Sequence, residues 1–475
     1  METKLVPPAI PAPGRGLYCN RTLNLRAIRA IGYDMDYTLV HYHVEAWERR
    51  AYEYLQAKLL EQGWPVDDLQ FVPGLCVRGL AVDTHIGNLV KADRFGYVKR
   101  AIHGTRRLEF EDQRRLYSRL QVTDEPRWVF LNTFFSLSEA CMYAQLVDRL
   151  DAGRFSQPVG YSELWAGVHR ALDQAHAEGL LKREIVQDPA RYAVPDPDLA
   201  QALLDQRQAG KKLVLITNSE WPYTRSMMAA AIDRHLPDGS TWREIFDLVI
   251  VGARKPEFFA GRGPLFEVTD DEGLLRPCVE GPTGPGVYLG GHAGQVEEYL
   301  GLSGAEILYV GDHLYTDVQV SKNIRRWRTG LIVRELEIEL AEVEARHADQ
   351  DRLDTLMAEK ASLELEQAQW RLLLQRGEVA AADTGRETAE ARLGRLRARL
   401  ERLDEEVAPL AASLGAIANP IWGPLMSAGN DRSLLAHQVE LYADVYTSRV
   451  SNLLLYTPFA YLRAPRGELP HDRGR

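Results

Sequence analysis

The stretch Arg29-Ala30-Ile31-Gly32-Tyr33-Asp34-Met35-Asp36-Tyr37-Thr38-Leu39 governs the reading of the whole chain. Its first residues form a short apolar run that stops at an acid. Similar runs recur at Lys212-Leu213-Val214-Leu215-Ile216 before Thr217, at Asp247-Leu248-Val249-Ile250-Val251 before Gly252, and at Ile307-Leu308-Tyr309-Val310 before Gly311. Continuous apolar runs of this length, bounded by polar residues or glycine, are the pattern of parallel strands covered on both faces. Helical patterns such as Leu199 to Gln208 lie between them. Strand alternating with helix predicts an α/β fold, a Rossmann-like core with a parallel sheet. In such a sheet the ligand site lies outside the carboxyl ends of the strands. Here those ends carry Asp34, Thr217, Lys255 and Asp312.

Each strand end admits a chemical and a bland reading. Asp34 and Asp36, at i and i+2, point the same way if the backbone is extended. Carboxylates that close ionise together only beside a cation, and then one can attack while its neighbour transfers protons. Their bland reading is a helix cap and a turn acid. Thr217, in Leu215-Ile216-Thr217-Asn218-Ser219, offers a hydroxyl to a phosphate oxygen, or it caps the next helix, as Ser219 also could. Lys255, restrained by Pro256, neutralises a phosphoryl group or stands as a solvated loop cation. Asp312 and Asp317, in Gly311-Asp312-His313-Leu314-Tyr315-Thr316-Asp317, suit a hard cation such as Mg²⁺, which prefers oxygen ligands. On the same ground His313 reads as a packing or hydrogen-bonding residue.

Outward from these motifs the chain divides into six parts: an extended lead-in over 1–25, a catalytic core over 26–45 and 196–334, an inserted and mostly helical cap over 46–195, an antiparallel helical hairpin over 335–414, a C-terminal helical segment over 415–465 that packs back on the core, and a frayed tail over 466–475. The cap is read from helical patterns at Ala46–Gln62, Ser138–Leu150 and Ser162–Glu178. The hairpin is read from Leu393, Leu396, Leu400, Leu403, Val407, Leu410 and Leu414, which alternate steps of three and four, with a reversal expected between Gly377 and Gly385.

Composition narrows the function. The chain has 475 residues, 45% hydrophobic and 26% charged, with net charge -10. These are globular values, and the acidic balance argues against a nucleic-acid coat. Cys19, Cys76, Cys141 and Cys278 are too scattered for a zinc knuckle or redox pair and suit a reducing compartment. No run approaches the ~18 apolar residues of a membrane span, and the Pro-rich start lacks a secretion-signal pattern. The expectation is a soluble, cytoplasmic homo-oligomer that engages neither nucleic acid nor membrane.

All four strand-end motifs occur in one order, and here the sequence resembles the haloacid-dehalogenase superfamily of phosphohydrolases. The nearer resemblance is to the cytosolic purine 5′-nucleotidases of the IMP/GMP-preferring type. It is carried by DMDYTL at 34–39, FLNTFF at 130–135, TNSEWPYT at 217–224, ARKPEFF at 253–259, YVGDHLYTDVQVSKNIRRWRT at 309–329, and LLAHQVELYADVYTSRVSNLLLYTPFAYL near the C-terminus. The resemblance implies a Mg²⁺-dependent 5′-nucleotidase acting on purine nucleoside monophosphates, with phosphotransfer to a nucleoside as a side reaction. It implies Asp34 as nucleophile, Asp36 as acid and base, and Thr217, Asn218 and Lys255 around the phosphoryl oxygens. Mg²⁺ would be held by Asp34, the carbonyl of Asp36 and Asp312, with Asp317 in the same acidic cluster. In the cap it implies Phe135 as the ring under the purine, with Asp173, His176 and Lys182 near the base. From the residues alone, Phe135 could equally be core, and Asp173 and His176 a solvated face. An arginine expected near that helix start falls at His169. Two rivals remain: a same-fold phosphatase for another small phosphomonoester, and a non-enzymatic scaffold that binds through the hairpin.

Overall fold

A computed structural model describes residues 11–378, 388–465 and 467. The first ten residues, most of the 466–475 tail, and the expected reversal beyond Glu378 lie outside the described residues. The chain divides into two compact units, residues 1–337 with 425–475, and residues 338–424.

The first unit is built on a ten-stranded sheet. Its order is Leu17–Cys19, Val445–Thr447, Arg328–Ile332, Ile307–Gly311, Ala30–Tyr33, Lys212–Ile216, Leu248–Val251, Gly286–Gly290, Leu265–Val268, Leu275–Cys278. The seven central strands run parallel, and antiparallel strands close both edges. All four apolar runs singled out above lie in the parallel part. The strand Ala30–Tyr33 is buried throughout and sits between Ile307–Gly311 and Lys212–Ile216. This order brings the strand ends bearing Asp34, Asp312 and Thr217 side by side. Gly32 is needed there, because a Cβ would stand 2.7 Å from the ring of Tyr309 on the neighbouring strand. The fold is α/β, as the alternation of strand and helix predicts.

The 46–195 region carries the expected helices and, besides them, a sheet that its sequence pattern does not announce. Helices do stand at Val44–Glu61, Leu137–Asp151 and Tyr161–Ala177, close to the predicted ranges. Between the first two lies a five-stranded antiparallel sheet, in the order Arg106–Arg107, Val98–His103, Asn88–Ala92, Ala81–Asp83, Trp128–Phe130. Its strands escape an apolar-run search because they bury polar residues. Asp83 is fully buried and accepts two hydrogen bonds from Arg127, at 2.8 and 2.6 Å. Asn88 is buried and donates to Tyr117. Buried polar groups with partners are tolerated, so polarity in the sequence did not mean exposure.

The C-terminal segment joins the main sheet. The helix Leu434–Tyr442 ends earlier than its pattern suggests, and Val445–Thr447 pairs in parallel with Arg328–Ile332. Asp444 locks this junction. Its carboxylate accepts from Lys322 Nζ at 2.7 Å, Arg328 Nε at 2.9 Å and the Thr329 N–H at 2.9 Å. Burial alone would push this carboxyl up. The hydrogen bond from Lys322 and the charges of Lys322 and Arg328 outweigh it, so the group sits below its ordinary range.

The second unit is an antiparallel helix pair, His347–Gln375 and Ala389–Leu414. The pairing direction follows from its ion pairs. Arg352 meets Glu406 at 3.7 Å, Glu359 meets Arg399 at 2.7 Å, and Glu366 meets Arg392 at 2.5 Å. One set of positions rises by seven as the other falls by seven. Exposed pairs of this kind contribute about 0–1 kcal/mol each, so they set register more than stability. The apolar seam contributes more, with Leu396 and Leu403 of the predicted heptads buried.

Replacing Asp444 by alanine leaves Lys322 and Arg328 without their shared anion and should lower unfolding free energy by about 3 kcal/mol at neutral pH. Urea denaturation measures it. Because the folded carboxyl is depressed, its contribution is complete above the unfolded value of ~3.9 and fades as pH falls through the lower folded value. The deficit of the variant should therefore shrink in acid; a deficit constant down to pH 3 would contradict this account.

Candidate active site

The carboxyl ends of the central strands converge on one buried lysine. Lys255 Nζ lies 2.7 Å from Asp34 Oδ1 and 2.7 Å from Asp317 Oδ1, with its side chain 3% exposed. It also donates to Tyr309 Oη at 3.1 Å, and that hydroxyl donates to the Ile216 carbonyl at 3.1 Å. Lys255 is therefore no solvated loop cation. Asn218 fixes the lysine's main chain: its Oδ1 accepts the Lys255 N–H at 2.6 Å and its Nδ2 donates to the Lys255 carbonyl at 3.1 Å.

Asp34, Asp312 and Asp317 are buried, and one carboxylate oxygen from each lies within 4.8 Å of the others. Gly311 makes room for this cluster, since a Cβ there would overlap the Asp317 carboxylate. Three acids face one lysine. Burial pushes the Asp34 carboxyl up to about 7, against the pull of Lys255. Burial, followed by the charges of Asp317 and Asp34, pushes the Asp312 carboxyl well above its ordinary range. Burial opposes the charge on Lys255, yet Asp317 and Asp34 hold it well above its ordinary range. Asp312 Oδ2 is buried without a hydrogen-bond partner. An oxygen-only donor set, surplus negative charge and an orphaned carboxylate oxygen fit a hard divalent cation. His313 stands aside from ligation, as its Nδ1 accepts the N–H groups of Tyr315 and Thr316 at 3.2 and 3.3 Å.

Asp36 has other partners. Tyr42 donates to its Oδ1 at 2.5 Å and Ser219 to its Oδ2 at 2.6 Å. Tyr42 also shares a 2.9 Å hydrogen bond with Tyr223. The chain beyond Asp36 winds back on Met35, whose carbonyl accepts from Thr38, Leu39 and Val40, with Tyr37 in the left-handed region at φ 54°. Neither acid caps a helix, because the next helix begins at Val44 after His43. Thr217 does not cap one either. It is 1% exposed, its Oγ1 accepts the Ser219 N–H at 3.0 Å, and the following helix has Glu220 at its cap position.

The cap residues divide. Phe135 is half-buried, its ring against Tyr37 and Trp47 with centroids at 4.9 and 5.5 Å. Lys182 reaches the core, with Nζ 3.3 Å from Ser219 Oγ and 5.0 Å from the Tyr223 ring centre. Asp173 is exposed and lies 3.7 Å from His169, which in turn pairs with Glu139 at 2.8 Å. His176 is exposed on the same helix. Among the described residues, neither Asp173 nor His176 touches the strand-end cluster.

Sequence reading missed Tyr42, Tyr223 and Arg78. Arg78 is 4% exposed, pairs with Glu335 at 2.6 and 2.5 Å, and donates to the Asp312 carbonyl at 3.2 Å. Its guanidinium lies 4.4 Å from the Phe134 ring centre. The available signal for the tyrosines was their place within or just beyond two motifs. Arg78 had none.

No helix among the described residues is long and apolar enough to cross a membrane. The family model for the 5′ nucleotidase family matches residues 17–474. A 5′-nucleotidase domain-containing protein of Dictyostelium discoideum is 28% identical over 468 residues, covering 96% of this chain and 74% of its own length. Human 5′-nucleotidase domain-containing protein 2 is 30% identical over 362 residues, covering 71% of this chain and 67% of its own. Among solved structures, an archaeal β-phosphoglucomutase from a Pyrococcus species aligns with TM-score 0.31 at 12% identity, over 64% of this chain and 86% of that one. A haloacid dehalogenase-like family hydrolase from Xanthomonas campestris aligns with TM-score 0.25 at 14% identity, over 68% and 98%. With the family model spanning nearly its whole length, the chain belongs to the 5′ nucleotidase family and is a phosphoric monoester hydrolase.

Proposed function

We propose that this enzyme hydrolyses purine nucleoside 5′-monophosphates, IMP and GMP foremost, through an aspartyl-phosphate on Asp34. The observation that carries the reading is the pair of acids two residues apart in unlike surroundings. Asp34 sits on the Lys255 ammonium, whereas Asp36 is held by two hydroxyls. Asp34 attacks phosphorus as the bond to the ribose 5′-oxygen breaks, and Asp36 gives that oxygen its proton. Water then attacks the acyl phosphate and returns a proton to Asp36, and the bond to Asp34 breaks to release phosphate. A nucleoside hydroxyl in place of water gives phosphotransfer. Lys255 and Thr217 receive the phosphoryl oxygens, and Asn218 acts by fixing Lys255. Asp34, the Asp36 carbonyl, Asp312 and Asp317 would hold Mg²⁺, which when bound offsets the repulsion between a carboxylate and a phosphate dianion. Phe135, supported edge-on by Tyr37 and Trp47, is the ring on which the purine stacks, and Lys182 stands nearest the phosphate among the cap residues assigned to the base. Asp173 and His176 are assigned to the base edge.

Phosphate release should be fastest with IMP and GMP in a panel that includes AMP, CMP and sugar phosphates. Asp34→Asn should lower it by at least ~10³-fold. Undiminished release in that variant would remove the nucleophile, and preference for a sugar phosphate would remove the substrate class.

Mg²⁺ should raise the thermal midpoint of the resting protein, because it relieves the acid surplus. Asp312→Asn should abolish that rise while leaving the metal-free midpoint equal or higher. Equal metal-induced shifts in both proteins would rule out Asp312 as a ligand.

A further inference from the structure

We propose that the outward face of the helix His347–Gln375 is a self-association surface, on which a second copy of this chain lays the same helix antiparallel. The helix carries two apolar seams. The half-buried residues Leu353, Leu356, Leu363 and Leu374 belong to the seam of the hairpin itself. A second seam runs through Ala361, Leu365, Ala368 and Leu372, again in alternating steps of four and three. Nothing among the described residues covers it. Leu365 is 62% exposed and Leu372 44%, and both alanines are exposed. A solvated helix face has no need of a heptad repeat, whereas a helix–helix contact does.

The identity of the occupant follows from the register. In an antiparallel pair each core residue of one seam position faces the other seam position of its partner. Leu365 then faces Ala368 of the second copy, and Leu372 faces Ala361. Every large side chain meets a small one, which allows close approach of the two helices. The flanking charges agree with the same register. Glu364 of each copy comes beside Arg371 of the other, so two-fold symmetry gives the pair twice. A parallel arrangement would instead set Arg371 beside Arg376. Neither charge is engaged elsewhere to an extent that would prevent this. Glu364 reaches Lys360 only at 4.0 Å, and Arg371 forms no ion pair among the described residues. The strip is thus complementary to its own reverse, in shape and in charge, which is the condition for an isologous contact between two copies.

Sedimentation equilibrium of the full chain, across a range of protein concentrations, tests the proposal. Wild type should self-associate. Leu365→Asp with Leu372→Asp should halve the assembled mass, with phosphate release per chain unchanged. Glu364→Arg alone should weaken association about tenfold, and Glu364→Arg combined with Arg371→Glu should restore it. The paired reversal guards against misfolding as an explanation, since it doubles the number of changed residues yet should recover the assembly. Three results would each overturn the proposal: a wild type that stays monomeric at high micromolar concentration, an assembled mass unaffected by the two aspartates, or a double reversal as weak as the single one. A monomeric wild type would leave the seam to a different protein.

Discussion

The ammonium of Lys255, held 2.7 Å from both Asp34 and Asp317 and shut away from water, is the contact on which the rest of the first unit is organised. A buried charge left alone would cost several kcal/mol, and each of the two acids supplies what the lysine lacks. The surrounding sequence serves this placement. Asn218 clamps the lysine's main chain from the next strand end. Gly32 admits the Tyr309 ring, whose hydroxyl accepts a further hydrogen bond from the ammonium. Gly311 leaves space for the Asp317 carboxylate. Even so, one lysine stands among three buried acids, an oxygen donor set that fits a hard cation.

The second consequence is the separation of Asp34 from Asp36. In sequence they look equivalent. In the fold, Asp34 reaches the lysine and Asp36 reaches Tyr42 and Ser219. Environments that differ this much give neighbouring carboxyls different tasks, which a nucleophile and a proton carrier require. Tyr42 lies at the edge of the 46–195 region and Tyr223 on the helix after Thr217. Asp36, the proposed proton carrier, is therefore tied both to the strand His41–Tyr42 and to the helix Trp221–Ile232.

The parallel sheet and its strand ends were legible because each central strand is an apolar run that ends in a chemically distinctive residue. Lys212–Ile216 and Ile307–Gly311 lie within one residue of the predicted runs. The five-stranded sheet between Ala81 and Phe130 was not legible, because Asp83, Asn88 and Lys91 interrupt its strands and are buried nonetheless. Val445–Thr447 was hidden for another reason. It continues a good helical pattern, and only pairing with Arg328–Ile332, residues over a hundred positions away, turns it into a strand. The acids and the lysine of the site were found from motif spacing. Arg78 was not, since a lone arginine carries no spacing signal and its partners, Asp312 and Glu335, lie far along the chain.

Arg78 also suggests how one scaffold can change substrate without disturbing its chemistry. Its guanidinium joins the acid loop, through the Asp312 carbonyl, to the Phe134 ring, and Phe134 precedes the ring proposed to carry the base. Phe134 and Phe135 both pack on Tyr37, the residue that turns the chain between Asp36 and Thr38. The aromatics proposed to face the substrate are therefore seated on the loop that carries the acids, and on that proposal rigid contacts would set the distance from base to phosphorus. The helix with Asp173 and His176 has no such tie. Asp173 and His176 are exposed on it, Asp173 meeting only His169 of the same helix among the described residues, and they can vary without moving a carboxylate of the strand-end cluster. On the proposed reading, the reacting groups and the stacking ring are held by many contacts, and the base-edge residues Asp173 and His176 by few.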